Sequence, residues 1–124
     1  MRRLAPNLRP QVNAHVDEWL RRGVIRESNS PWSSPLVVVK KKEAGDIRVC
    51  VDMRMVNEVT VTDAMPLPRA DECLEAMSGA QVFSSLDARS GYHQIPIVEA
   101  ERYKTAFSVP FRGQFEWNRV LFGF

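Results

Sequence analysis

FSSLDARSGYHQIPI, Phe83 to Ile97, is the stretch that decides the character of this chain. A run of apolar and small residues ends on one acid, Asp87, and Tyr92 follows five positions later. The pattern AQVFSSLD predicts a strand over 80–87 that closes on a lone carboxylate. Such an Asp has two uses. Beside Ser and Gly it can cap the turn after the strand with its short polar side chain. At a strand end facing a cleft it can offer a hard oxygen to a divalent cation, because Mg²⁺ at a phosphate site takes one or two carboxylates together with substrate oxygens. A single carboxylate is then half of a site, and its partner must come from elsewhere.

Outward from that stretch the elements are short and well signalled. NLRPQVNAHVDEWLRRG places Val12, Val16, Trp19 and Leu20 on one helical face, with Asp17 and Glu18 exposed and Gly23 at the stop. ESNSPWSSP is a loop carrying Trp32. LVVVKKK and IRVCV are β-branched runs around KKEAGD, a hairpin with Gly45 near its turn. DMRMVN predicts a helical turn, and MPLPR forbids helix until about Arg69. RADECLEAMSG predicts a second helix with Ala70, Cys73, Leu74 and Met77 on one face. KTAFSVP and QFEWNRV, flanking FRG, predict a second hairpin. This order of helix, hairpin, helix, strand and hairpin argues for an α+β fold.

Composition removes several classes of function. The 124 residues are 44% hydrophobic and 26% charged, within the range of a domain with a core of its own. No run of about 18 apolar residues occurs, so no membrane-spanning helix is expected. MRRLAPNLRPQ has no apolar segment behind its arginines, so an intracellular setting is expected, whether cytoplasm, nucleus or virus-like particle. Cys50 and Cys73 lie outside any C-x-x-C spacing and are expected to be buried thiols. His15, His93 and the cysteines lack zinc-ligand spacing. An aspartic protease is excluded too, since Ala88 and Arg89 separate Asp87 from Ser90-Gly91. The net charge of +2 hides an asymmetry: residues 1–54 hold 11 Lys+Arg against 6 Asp+Glu, and residues 55–124 hold 6 against 9. A basic front beside an acidic back suits a protein that grips phosphates with one part and works with carboxylates in the other.

The blocks SPWSSPLVVVKKK, IRVCVDMRMVN, MPLPR, FSSLDARSGYHQI, KTAFSVP and LFGF, in that order and spacing, resemble the reverse transcriptase of Ty3/gypsy-type long-terminal-repeat retrotransposons, part of a retrovirus-like Pol polyprotein. The likeness runs from about Leu4 onward, and ordered blocks are far more specific than any one motif. It implies an RNA-directed DNA polymerase with a right-hand fold. Residues 1–81 would form an N-terminal helix and mostly fingers, and 82–124 the start of the palm. Asp87 would be the first catalytic aspartate, binding Mg²⁺ or Mn²⁺ with help from the backbone of Ala88. Lys41 and Arg48 match the pair that grips the incoming dNTP. Tyr92 matches the residue stacked under the sugar, and Phe122 the pocket residue that retrotransposons place where some retroviruses have Gln. The implied partners are an RNA or DNA template-primer and dNTP in a longer parent, with no membrane.

The resemblance also has gaps. The family pattern continues after FGF into an Asn-Ala-Pro segment, the rest of the palm with its Tyr-x-Asp-Asp turn, the thumb and usually an RNase H, none of which occurs in these 124 residues. No Asp-Asp pair is present, and Ile47 stands where the family commonly has Trp. The expectation is a truncated domain with an incomplete two-ion site, inactive alone. A second reading is a catalytically dead remnant or a domesticated module that binds nucleic acid or a protein partner. A downstream frame reaching Tyr-x-Asp-Asp would favour the enzyme, and a true stop the remnant.

Overall fold

The computed structural model describes residues 4–40, 47–61 and 63–124. After a 3-10 turn at Pro6–Leu8, helix α1 (Arg9–Arg21) forms where its periodicity predicts. Pro10 sits in the first turn, where a missing N–H breaks no intrahelical bond. Val12, Val16 and Trp19 are buried, and Asp17 and Glu18 face solvent. Gly23, at φ +65°, ends the helix: its N–H donates to the Leu20 carbonyl at 2.9 Å and that of Val24 to the Trp19 carbonyl at 3.1 Å. This left-handed closure satisfies two helix-end carbonyls and is one that glycine adopts without steric cost.

The chain continues through β1 (Ile25–Glu27), β2 (Leu36–Lys40), β3 (Ile47–Val51), α2 (Arg54–Glu58), α3 (Ala70–Ala76), β4 (Phe107–Val109) and β5 (Gly113–Trp117). Both expected hairpins form. β2 and β3 pair antiparallel, from Leu36 opposite Val51 to Lys40 opposite Ile47, and the turn expected near Gly45 lies outside the described residues. Ile47, Val49 and Val51 face the core, which leaves Arg48 outward. β4 and β5 pair with Phe107 opposite Phe115. β1, which no sequence signal marked, adds to the other side of β5 with Ile25 opposite Trp117. Its three residues carry no periodicity, and its partner comes some 90 positions later. The resulting sheet, ordered β1-β5-β4, draws strands from both sides of residue 81.

The core joins α1 to this sheet through aromatic rings. Trp117 lies 4.9 Å from Trp19 and 5.7 Å from Phe107, and Phe107 meets Trp19 edge-on at 6.3 Å. Tilted and edge-to-face pairs at these distances add to the gain from burial. Several polar groups within the core are paired, while Trp117 Nε1 is buried without a hydrogen-bond partner among the described residues. The Trp117 backbone N–H donates to Thr105 Oγ1 at 2.9 Å, and that hydroxyl donates to the Arg102 carbonyl at 2.6 Å. Buried Glu116 accepts from Arg26, its cross-strand neighbour, at 2.7 Å and from Ser28 Oγ at 2.6 Å. At the far end Arg112 donates to the Asn13 carbonyl at 3.0 Å and pairs with Asp17, tying the β4–β5 turn to α1.

Three local expectations are corrected. No strand forms over 80–87, and these residues are exposed. Alternation alone cannot make a strand, since its backbone groups need a neighbour, and no described segment lies alongside. Helix α3 forms, but its expected inner face is not covered: Leu74 is 65% and Met77 44% exposed. Cys73, on that face, is exposed, and Cys50 is half-buried. Among the described residues, no helix is long and apolar enough to cross a membrane.

Thr105→Val keeps the side-chain volume but strands the Trp117 N–H in the core. The substitution should cost about 1–3 kcal/mol, the desolvation penalty of an unpaired buried donor. A urea unfolding midpoint equal to that of the parent protein would contradict this role for Thr105.

Candidate nucleotide and metal site

The site grows from the turn after Asp87. Ser90 adopts φ +50°, and the 3-10 helix Gly91–Gln94 follows at once. The turn is closed on itself: Gln94 Nε2 donates to the Arg89 carbonyl at 2.9 Å, and the His93 N–H donates to the Ser90 carbonyl at 2.9 Å. A Cβ built on Gly91 would stand 3.6 Å from that of Ala88, so the turn folds back onto the residue beside Asp87.

The next segment runs beside the chain that leaves β5. Ile97 N–H donates to the Asn118 carbonyl and Val120 N–H to the Ile95 carbonyl, both at 2.9 Å, with Pro96 bridged to Arg119. Arg119 also donates to the Gln94 carbonyl at 3.1 Å. This pairing brings Tyr92 against Phe122, their rings perpendicular with centroids 5.6 Å apart. Both remain half-exposed or more, at 51% and 62%, so the pair presents apolar ring surface to solvent. From below, Asn57 Nδ2 of α2 donates to the Gly123 carbonyl at 2.7 Å and holds the segment carrying Phe122.

Asp87 is exposed, and its carboxylate has no ion pair or hydrogen bond among the described residues. Together with the Ala88 carbonyl it offers hard oxygen donors, which suits an Mg²⁺ ion that keeps several of its own waters. Among the described residues no group of three His, Cys, Asp or Glu could hold a metal ion. Arg48 is exposed on the outer face of β3, opposite Val39, on the β2–β3 hairpin. Lys41 lies outside the described residues.

Charged pairs stiffen the layer behind these residues. Arg26 bridges Glu116 and Glu99, at 2.7 and 2.6 Å, and Glu99 also pairs with Arg102. The Arg26 hydrogen bond, with Arg102 adding, holds the Glu99 carboxyl below its ordinary range. Arg102 in turn donates to the Ile97 carbonyl at 3.0 Å, which steadies the start of the strand-like segment beside Asn118. Asn57 was not among the residues the sequence singled out, and His93 was weighed there only as a metal ligand. Nothing local links position 57 to position 123, and a histidine beside an aromatic carries no pattern of its own.

The model of the family described as reverse transcriptase (RNA-dependent DNA polymerase) matches residues 39–124, most of the chain. The chain belongs to the reverse transcriptase family. Among its relatives are Pol polyproteins of two Drosophila melanogaster transposons. That of transposon 297 is 43% identical over 117 residues, covering 91% of this chain and 11% of the relative. That of transposon gypsy is 41% identical over 117 residues, covering 90% and 11%. The crystal structure of the native prototype foamy virus protease–reverse transcriptase matches with a TM-score of 0.83 at 26% identity, over 99% of this chain and 16% of that one. The likeness to gypsy-type elements is thereby borne out, and the α+β fold is that of part of a reverse transcriptase. The chain spans 11–16% of the length of these proteins. Divalent-metal dependence goes with reverse transcriptases as a family.

The ring pair of this reverse transcriptase segment should be measurable by itself. A double-mutant cycle on Tyr92→Ala and Phe122→Ala, read by urea unfolding, should return a coupling of about 0.5–1.5 kcal/mol, the range for perpendicular aromatic pairs. A coupling of zero would show that the rings do not meet in solution.

Proposed function

We propose that this chain forms the nucleotide-binding front of an RNA-directed DNA polymerase, in which a nucleotidyl group passes from a dNTP to a primer 3′-hydroxyl on an RNA or DNA template. The observation that carries this reading is the Tyr92–Phe122 pair, placed by backbone pairing at the end of the turn that begins with Asp87. In this reading residues 1–81 belong mostly to the fingers and 82–124 open the palm.

Asp87 and the Ala88 carbonyl would hold the divalent ion, preferably Mg²⁺, since both donors are hard oxygens. When bound, the ion neutralises phosphate charge and favours ionisation of the primer hydroxyl. The chain's own side chains orient the nucleotide. Arg48 presents a guanidinium that can fork onto phosphate oxygens, and Lys41, its counterpart by sequence, would add a point charge. Tyr92 gives the sugar a flat ring to rest on, and Phe122 buttresses that ring edge-on. A ribose 2′-hydroxyl would meet the Tyr92 ring, so the larger substrate is excluded by collision, without added affinity for the smaller one.

Asp87→Asn, placed in a polymerase that contains this segment, should lower primer extension by at least about a thousandfold, equivalent to about 4 kcal/mol of barrier. Extension at near the parent rate would remove Asp87 from the chemistry. Tyr92→Val should raise kcat/KM for a ribonucleotide relative to its deoxy counterpart by at least about tenfold. Equal losses for both substrates would make Tyr92 a packing residue.

A further inference from the structure

The 3-10 helix that presents Tyr92 has one inward anchor. Of its four residues, Gly91 has no side chain, and Tyr92 and Gln94 are exposed. His93 turns inward. Its ring lies 5.6 Å from the ring of Trp117, tilted by 33°. Trp117 is itself 2% exposed and wedged against Trp19 and Phe107, so it is a fixed base. Successive side chains on a 3-10 helix project about 120° apart. Locking the direction of His93 therefore locks that of Tyr92.

We propose that His93 is the positioning residue of the nucleotide pocket: its ring, packed against Trp117, fixes the turn against the core and so sets Tyr92 against Phe122. The inference rests on the reading of Tyr92 as the residue beneath the sugar. The chemistry of the contact requires the neutral ring. Nδ1 of His93 is buried and has no hydrogen-bond partner among the described residues. A charge there would be desolvated without a counter-ion.

The surroundings agree. α1 contributes the Arg22 cation, which disfavours a second positive charge, and β5 contributes the apolar face of Trp117. The Glu116 carboxylate on β5, next in sequence to Trp117, is taken by Arg26 and Ser28. Burial first, and Arg22 second, lower the His93 pKa from its ordinary value of 6.5. A lowered folded-state value means that the neutral ring's contribution is complete above about pH 6.5 and lost as pH falls below it.

The test has two arms. In the first, aromatic NMR of this chain follows the cross-relaxation between Tyr92 and Phe122, with the Phe107–Phe115 contact as the measure of an intact fold. His93→Ala should lose the Tyr92–Phe122 contact and keep Phe107–Phe115, while His93→Phe, which still stacks, should keep both. As pH is lowered from about 7.5 through and below about 6.5 until the His93 ring itself protonates, followed by its own ring signals, the parent chain should lose the contact, and His93→Phe should keep it over the same range. Retention in His93→Ala, or the same pH response in the parent and His93→Phe, would overturn the proposal, and the second comparison holds even if the alanine variant fails to fold. In the second arm, in a polymerase containing this segment, His93→Ala should relax ribonucleotide discrimination as far as Tyr92→Val does, and His93→Phe should restore it. Unchanged discrimination in His93→Ala beside a relaxed Tyr92→Val would also overturn it. If Tyr92→Val itself changes nothing, the sugar-gate reading fails, and the NMR arm alone decides the role of His93.

Discussion

Trp117 is the point where helix α1, the three-stranded sheet and the turn bearing Tyr92 meet. One face of its indole packs on Trp19 and Phe107, and His93 lies against it from the side of the candidate pocket. Its backbone N–H is committed to Thr105, which fastens the 3-10 segment Glu99–Thr105 to β5. A close-packed interior transmits displacement because it has no free volume to absorb it. The geometry of the exposed ring pair is thus tied, through a few contacts, to the packing of the helix on the sheet.

Polar groups in this interior serve placement more than adhesion. Glu116 is a carboxylate with 6% exposure, a state tolerated only with partners. Arg26 and Ser28 supply them, and because Arg26 sits directly opposite Glu116, their pairing can form only in one register of β1 on β5. A slip of one residue would turn Glu116 away from Arg26 and reverse which side chains face the core. Short strands with few ladder bonds gain register from such a pair. Arg112, joined to Asp17 and the Asn13 carbonyl, does the same for the angle of α1 across the hairpin.

The surface divides by what covers it. Residues packed on the aromatic core are buried to a few per cent, whereas the described residues between Val59 and Leu86 stand in solvent, with Val61, Leu67, Val82 and Leu86 each at least 85% exposed. Helix α3 shows the consequence. It is stabilised locally, with the Arg69 N–H donating to the Glu72 carboxylate at 3.0 Å, while its apolar face meets nothing in the described chain. Asp87 lies at the end of this open stretch, immediately before the hydrogen-bonded turn, where its carboxylate is open to solvent.

Much of this was legible in the residue order, for local reasons. The periodicity of Val12, Val16 and Trp19, the stop at Gly23, and both hairpins follow from side-chain spacing and turn chemistry, which act over a few residues. The ordered blocks around Asp87, Arg48, Tyr92 and Phe122 placed the chain in its family before any contact was known. Strand β1 was not legible, because three residues gain their strand character only from β5. The segment 80–87 failed in the opposite sense: its alternation is that of a strand, but backbone hydrogen bonds need a neighbour that the described residues do not supply. The sequence by itself determined which segments could be helix or hairpin and which side chains could do chemistry. Only the tertiary structure decided that Tyr92 meets Phe122, that Asn57 reaches Gly123 and that His93 rests on Trp117. Each of those contacts joins positions 24 to 66 residues apart, and pairing over such distances is set by how the strands pack, which no local spacing encodes.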